Sequence, residues 1–355
     1  MTKPVGIAFI GSGGIAQSAH MPAYKKLEAE GKAKLVAVCD VVEATAKAAA
    51  AKFDVPHVYT DYAQMLKRDD VDAVDVCTPN YLHMQPVLDA FAAGKHVICE
   101  KPLAINGEQG ARMVEAGHKA GRKFQVALNV RFGSGPQAVK RFIDAGKIGE
   151  IYYARAHALR RRGVPSWGVF TQKDKQGGGP LIDIGVHILD LTLWLMGYPT
   201  PVATVGAAYT KFGNRPGVYN TWGRFDHTNY TVEDFAAGFV RFENGATLTL
   251  ESSFIANLER DEMNTHVFGT EGGAFLNPFD ASQSRIYREE AGTLTDSSLA
   301  MLPQVNSHEG EIRAFVQAIL DDTPVQVPGE QGLMVTRILD ALYESSETGK
   351  EVRMT

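Results

Sequence analysis

The 355-residue sequence is poor in cysteine, carries little excess charge of either sign and lacks any long apolar run. Its three cysteines, Cys39, Cys77 and Cys99, each stand near the end of a short β-like segment. An odd count without zinc-type spacing argues against a disulfide framework and suits small core residues in a reducing cytoplasm. The 36 basic and 41 acidic residues leave a formal net charge of −5, which disfavours nucleic acid or an anionic membrane as the main partner. No apolar segment is long enough to span a bilayer. The opening "MTKPVGIAFIGSGG" passes from a very short apolar stretch into glycines, so it reads as a first strand and not as a secretion signal. Internal repeats and low-complexity tracts are missing too.

What remains is an ordinary globular composition, 45% hydrophobic and 22% charged, on a chain long enough for two domains. In the first third, continuous apolar strands ("VGIAFIG", "KLVAVCD", "VDAVDVCTP", "KHVICE", "KFQVAL") alternate with helices. That pattern predicts a parallel sheet covered on both faces, over residues 1–128. After Asn129 come a helix near 135–146, a strand at 150–160, and a loop rich in Gly, Arg and Trp to residue 180. Farther on, "VEDFAAGFVRF" and "ATLTLESSF" flank Glu243-Asn244-Gly245, a hairpin signal. Strands follow at 263–269, 273–277 and 284–289, then helices at 308–321 and 330–347. The expected fold class is α/β. It consists of a Rossmann dinucleotide-binding domain at 1–128 and an α+β domain with a mostly antiparallel, open-faced sheet at 129–355. The C-terminal helices are candidates to pack back on the first domain.

"FIGSGGIA" places Gly11, Gly13 and Ala16 in a G-x-G-x-x-A spacing between a strand and a helix. The first glycine suits a tight turn, the second a close approach of backbone to pyrophosphate, and the small third residue close helix packing. Gly11, Ser12, Gly13, Gly14 and Ile15 are therefore candidate cofactor contacts. Asp40 ends the second strand, where a carboxylate accepts from ribose hydroxyls and repels a 2′-phosphate, favouring NAD. Its alternative role is to cap the helix that follows, and the two roles are compatible.

In "GGGPLIDIGVHILDL", Gly177–Leu191, Asp183, His187 and Asp190 stand at i, i+4 and i+7 and share one face of a helix. A helix cap at Asp183 with a satisfied core histidine explains the stretch as well as a reactive site does. His157, His227 and His266 lack metal-ligand spacing, and no metal is expected. Arg160, Arg161 and Arg162 precede an aromatic loop. They read either as a solvated charge run or as the source of one arginine that recognises an anionic substrate group.

With "CTPNYLH" and "AGKHVICEKPLA" ahead of the Asp183–His187 helix, the chain resembles the Gfo/Idh/MocA oxidoreductases from end to end. The resemblance implies a nicotinamide cofactor, a sugar or cyclitol substrate, and a homodimer or homotetramer. Carried over, the lysine of the EKP tripeptide is Lys101, which with Asp183 and His187 contacts the substrate carbinol. His187 is the preferred base and Lys101 the alternative. Thr78, Pro79, Asn80 and His83 match the loop on the cofactor side, Glu100 a residue near the nicotinamide ribose, and Asn129 and Arg131 an N-x-R segment at the domain junction. Arg131, Arg160 and Trp167 join the substrate candidates. Asp190 reads as a salt-bridge residue, and the Glu100-Lys101-Pro102 junction is a candidate cis peptide. Bulk at the glycines before the Asp183 helix would obstruct the sugar. The implied activity is NAD-dependent oxidation of a ring hydroxyl. The alternatives are redox-neutral glycoside cleavage through transient C3 oxidation and, less favoured, a non-catalytic NAD-binding regulator.

Overall fold

The computed structural model describes residues 3–354. The chain forms two compact units, the first running to Asn129 and including Asn306–Leu333, the second spanning Val130–Val305 and resuming at Met334.

The first unit is built on six parallel strands: β1 (Val5–Ile10), β2 (Ala33–Cys39), β3 (His57–Tyr59), β4 (Ala73–Val76), β5 (His96–Glu100) and β6 (Phe124–Ala127). Their order, β3-β2-β1-β4-β5-β6, reverses the chain's direction of travel between β1 and β4. Ligands of open parallel sheets bind at such a switch point, beyond the carboxyl ends of the strands. Ile7, Phe9, Leu35 and Ile98 lose almost all contact with water, which is why these strands read as continuous apolar runs.

The helix Ser307–Leu320, one of the C-terminal helices named above as candidates to pack back, joins the first unit, so the boundary is not a single cut at residue 128. Ile312, Phe315 and Val316 of the helix Ser307–Leu320 are fully buried in the same core as Ile7 and Phe9, and Val126 N donates to Val327 O at 3.0 Å. Periodicity shows that this helix has an apolar stripe; it does not show which sheet the stripe covers.

The second unit carries nine strands: β7 (Ile151–Leu159), β8 (Pro201–Tyr209), β9 (Phe235–Phe242), β10 (Thr247–Ser253), β11 (Glu262–Gly269), β12 (Gly273–Leu276), β13 (Arg285–Glu290), β14 (Thr293–Ser298) and β15 (Val352–Arg353). They lie in the order β14-β13-β12-β11-β7-β10-β9-β8-β15, antiparallel except for the parallel β7–β10 pair. The Glu243-Asn244-Gly245 hairpin forms as expected, with Gly245 at φ 86°. Strand β8 escapes a sequence reading because it is rich in small residues. Gly206 lies opposite Gly238, and a Cβ on either would come within 2.7 Å or less of Leu342, so the pair makes a notch for the C-terminal helix.

Lys173–Leu195 is apolar and long enough by composition to resemble a membrane span. However, 89% of its most apolar window is buried inside the unit, which makes it a core element.

Candidate active site

The glycine loop leaves β1 at the switch point. Gly11 has φ 86°, and a Cβ there would lie 2.6 Å from Cys77 O, so only glycine fits the turn. A Cβ on Gly13 or Gly14 would meet nothing within 4 Å. The outer side of the loop is therefore open where a pyrophosphate would approach, and Gly14 and Ile15 are exposed there. These residues fit a bound dinucleotide.

Asp40, after β2, is tied to the same loop. Its Oδ2 accepts from Ser12 N at 2.9 Å and Ser12 Oγ at 3.2 Å, and its Oδ1 accepts from Val42 N at 2.9 Å, ahead of the helix Glu43–Phe53. The expected capping role is not seen: the N-cap residue is Val42, no side chain caps the helix, and Asp40 instead fastens the turn before it to the glycine loop. Oδ1 keeps a further lone pair, so ribose recognition stays compatible with these bonds.

Beyond β4, Thr78 and Pro79 lead into a single turn of 3-10 helix, Asn80–Leu82, beside Gly11. His83 does not fit a cofactor contact. Its ring is fully buried, with Nδ1 2.9 Å from Pro102 O and Nε2 2.8 Å from Thr78 O. It clasps the Thr78 loop to the Glu100-Lys101-Pro102 turn. The Lys101–Pro102 bond is cis, as anticipated, and Lys101 is half-buried. The amide of Asn129 is likewise engaged internally, donating to Ser307 Oγ at 2.8 Å and His308 Nε2 at 3.2 Å.

Glu100 also has partners other than those expected. Its carboxylate is buried, with Oε1 3.0 Å from His20 Nε2 and Oε2 accepting from Lys101 N at 3.0 Å. On its other side, His20 Nδ1 lies 2.8 Å from Asp75 Oδ2, and Cys77 Sγ donates to Asp75 Oδ1 at 3.2 Å. Burial alone would lower the His20 pKa; Asp75 and the Cys77 sulfur reverse this and hold it well above 6.5. Against its own burial, Glu100 is pulled down to about 2 by His20. The buried unit therefore sets the His20 ring between Asp75 and Glu100, and it anchors the residue that precedes Lys101.

Two groups of potential metal-ligating atoms, His20–His308–Glu311 and His20–Asp75–Cys77, lie within 4.8 Å of one another. His20 is common to both, and its two ring nitrogens lie against Asp75 and Glu100. Sequence reasoning missed His20, Asp75 and Glu311. The available signal for the first two was an ionisable residue inside an apolar stretch, His20 in "AQSAHMPAY" and Asp75 in "VDAVDVC".

Glu311 supplies a test. Its fully buried carboxyl is raised to about 7, chiefly by burial, with His308 opposing. A raised folded value gives stability that is full below the unfolded value of 4.5 and lost as pH rises through 7. Glu311→Gln should therefore flatten the fall in urea midpoint between pH 4.5 and 7. An unchanged slope would place the pH dependence elsewhere.

In the second unit, a π-helical turn, Leu181–Gly185, runs into the helix Val186–Leu195. Glu233, not Asp183, satisfies the start of this element. Its carboxylate accepts from Gly179 N at 2.8 Å, Leu181 N at 3.0 Å and Tyr343 Oη at 2.8 Å. The preceding glycines are required by packing and not by substrate access. A Cβ on Gly178 would lie 2.0 Å from Tyr343 Oη, and one on Gly179 would lie 2.3 Å from Glu233 O.

From Gly178 to Leu193 every residue is buried except His187, which is half-exposed. Asp183 sits on the π turn one step before it and is 7% exposed. Such turns recur at functional sites because they rotate side chains out of the regular α-helical phase.

Asp190, farther along the α-helical part, is engaged elsewhere. Asp190 is fully buried, and its Oδ2 accepts from Arg131 Nε at 2.8 Å, while Arg131 Nη2 and Tyr198 Oη both donate to Oδ1. Arg131, 2% exposed, is thereby committed to a structural ion pair and is withdrawn from the substrate candidates. Arg161 and Arg162 bind the 256–259 loop through Glu259 O, Ala256 O and Asn257 Oδ1. Arg160 alone of the three turns toward Asp183, with Nη1 3.9 Å from Oδ2. Trp167 is 57% exposed.

Comparison with known proteins agrees with this geometry. Residues 5–128 match the model of an oxidoreductase family described as an NAD-binding Rossmann fold, and residues 140–354 match the same family's C-terminal alpha/beta domain. The D-glucoside 3-dehydrogenase of Escherichia coli is 36% identical over 99% of this chain and 98% of its own. The levoglucosan dehydrogenase of Pseudarthrobacter phenanthrenivorans is 28% identical over 84% of each. Among solved structures, an oxidoreductase domain protein from Kribbella flavida superposes with a TM-score of 0.88 at 26% identity, covering 100% of both chains. A levoglucosan dehydrogenase in complex with NADH and levoglucosan superposes with a TM-score of 0.85 at 25% identity, covering 99% of both. The chain belongs to the Gfo/Idh/MocA oxidoreductase family, with an NAD-binding Rossmann domain followed by the family's C-terminal alpha/beta domain.

Proposed function

We propose that the protein is an NAD-dependent dehydrogenase acting on a secondary ring hydroxyl of a sugar, with D-glucosides as the leading class. The observation that carries the reading is His187, partly exposed among residues that are otherwise buried from Gly178 to Leu193, one turn after Asp183. Its similarity to a D-glucoside 3-dehydrogenase supports the choice of sugar and of the C3 hydroxyl.

When bound, the nicotinamide supplies the hydride acceptor; the protein must orient the carbinol and manage its proton. His187 takes the hydroxyl proton, histidine being the side chain that most often serves as a positioned general base. Asp183 receives a neighbouring substrate hydroxyl and restrains the carbinol. Lys101, set after a glutamate locked by His20, donates to the reacting oxygen and stabilises developing negative charge. Ser12, Gly13 and Gly14 form the phosphate side of the cofactor site, with Asp40 on the ribose. Assembly through the second unit's sheet belongs to the same reading. Tyr153, Phe239 and Phe268 stay half-exposed on it while Ala154, Val240 and Val267 are buried.

The deciding experiment incubates purified protein and NAD⁺ with methyl D-glucosides, glucose, levoglucosan and inositols while following NADH. Accumulation of NADH with a glucoside is expected, and its absence across the panel refutes the reading. Release of aglycone without NADH would instead establish redox-neutral cleavage. Asp40→Ala should reduce the preference for NAD⁺ over NADP⁺, as the ratio of kcat/KM values, by about tenfold or more, through loss of repulsion toward the 2′-phosphate.

A further inference from the structure

We infer that Trp167 and Trp222 form a preorganised stacking platform for the aglycone of a glycoside, joined through Arg160 to Asp183; the inference rests on the dehydrogenase reading above. The two indoles come from separate loops and stack with ring centroids 5.7 Å apart and planes inclined by 29°. They are nevertheless 57% and 39% exposed. A pair packed only for stability would turn inward, since the gain from aromatic rings comes from removing their area from water.

The loops that carry them are instead stitched together along their backbones. Val164 N donates to Asn220 Oδ1 at 2.9 Å, and Asn220 Nδ2 returns to Val164 O at 2.9 Å and Gly223 O at 2.8 Å. Thr221 N donates to Arg162 O at 3.1 Å, and Ser166 Oγ donates to Trp222 O. Rigid apolar surface held in water is what a ligand platform requires, because the ordering cost is met before binding.

The platform also has a direction. The Arg160 guanidinium lies 4.4 Å from the Trp222 ring centroid and 5.5 Å from that of buried Phe254. Its Nη1 donates to Gly163 O at 3.1 Å and lies 3.9 Å from Asp183 Oδ2. The order is thus carboxylate, guanidinium, inner indole, outer indole. Hydroxyl groups match the polar end, and a flat or apolar group matches the indole end. A ligand with both is a glycoside whose sugar is held at Asp183 and whose aglycone lies on the tryptophans. Because Arg160 already faces a carboxylate, the site suits an uncharged sugar.

The test compares phenyl and methyl D-glucosides, both anomers, with wild type, Trp167→Ala and the conservative Trp167→Phe. Trp167→Ala should lower kcat/KM for the phenyl glucoside about tenfold and leave the methyl glucoside within twofold, with Trp167→Phe restoring most of the loss. Saturable quenching of tryptophan fluorescence by the phenyl glucoside, lost in Trp167→Ala, reads the platform without turnover. If wild type oxidises neither compound but shows that quenching, the dehydrogenase reading fails and the platform stands. Equal losses for both glucosides, no loss for either with no quenching, or a loss accompanied by a changed molecular mass in light scattering would overturn the inference. The last result would make the tryptophans a contact between copies of the chain.

Discussion

His187→Ala should lower kcat by about 10²–10⁴-fold, the range that a positioned general base contributes. The NAD⁺ dissociation constant, measured by fluorescence titration, should stay within twofold. The argument rests on exposure and position. Among the residues from Gly178 to Leu193, all others of which are buried, His187 is partly exposed, and it stands one turn after Asp183. An imidazole kept there for packing would lower thermal stability when removed and leave turnover of the folded fraction intact. An imidazole that accepts the carbinol proton gives the opposite split. On the proposed mechanism, in which its side chain is a donor to the reacting oxygen, Lys101→Ala should show the same split. A kcat close to wild type in either variant would remove that residue from the reaction.

Arg131→Ala should lower the unfolding free energy by about 3–5 kcal/mol, the usual penalty for leaving one partner of a buried ion pair uncompensated. Asp190 is fully buried, and its carboxylate depends on Arg131 Nε and Nη2 and on Tyr198 Oη. Alanine would leave that carboxylate with a single strong donor and an opened cavity. The double variant Arg131→Met/Asp190→Leu should recover much of the loss, because two apolar side chains carry no unpaired charge. Chemical denaturation of the three variants beside wild type decides it, and a single-variant loss below about 1 kcal/mol would show that the pair is not a structural keystone. Activity per folded molecule should hardly change, which separates Arg131 from the substrate residues.

Much of the architecture was legible in the sequence because burial leaves a periodic mark. Strands covered on both faces appear as "VGIAFIG" and "KHVICE", and the Glu243-Asn244-Gly245 turn declares the β9–β10 hairpin. The glycine loop was legible for a related reason, since Gly11 sits at a φ that side chains rarely adopt. Strands β8 and β14 were not. The first owes its small residues to a notch for Leu342, and the second is polar and largely exposed.

By itself, then, the sequence determined the α/β class, the dinucleotide loop and the shared helical face of Asp183 and His187, because these depend on local spacing and backbone conformation, while Lys101 entered as what the family resemblance implies. Tertiary structure alone decided who partners whom. It withdrew Arg131 into an ion pair with Asp190, turned His83 and Asn129 inward, returned residues 306–333 to the first unit, and set Glu100 against a buried His20 held by Asp75. Each outcome depends on a charge or an apolar stripe finding its complement far along the chain. Only low dielectric and close packing in the folded state make that choice, and local patterning does not record it.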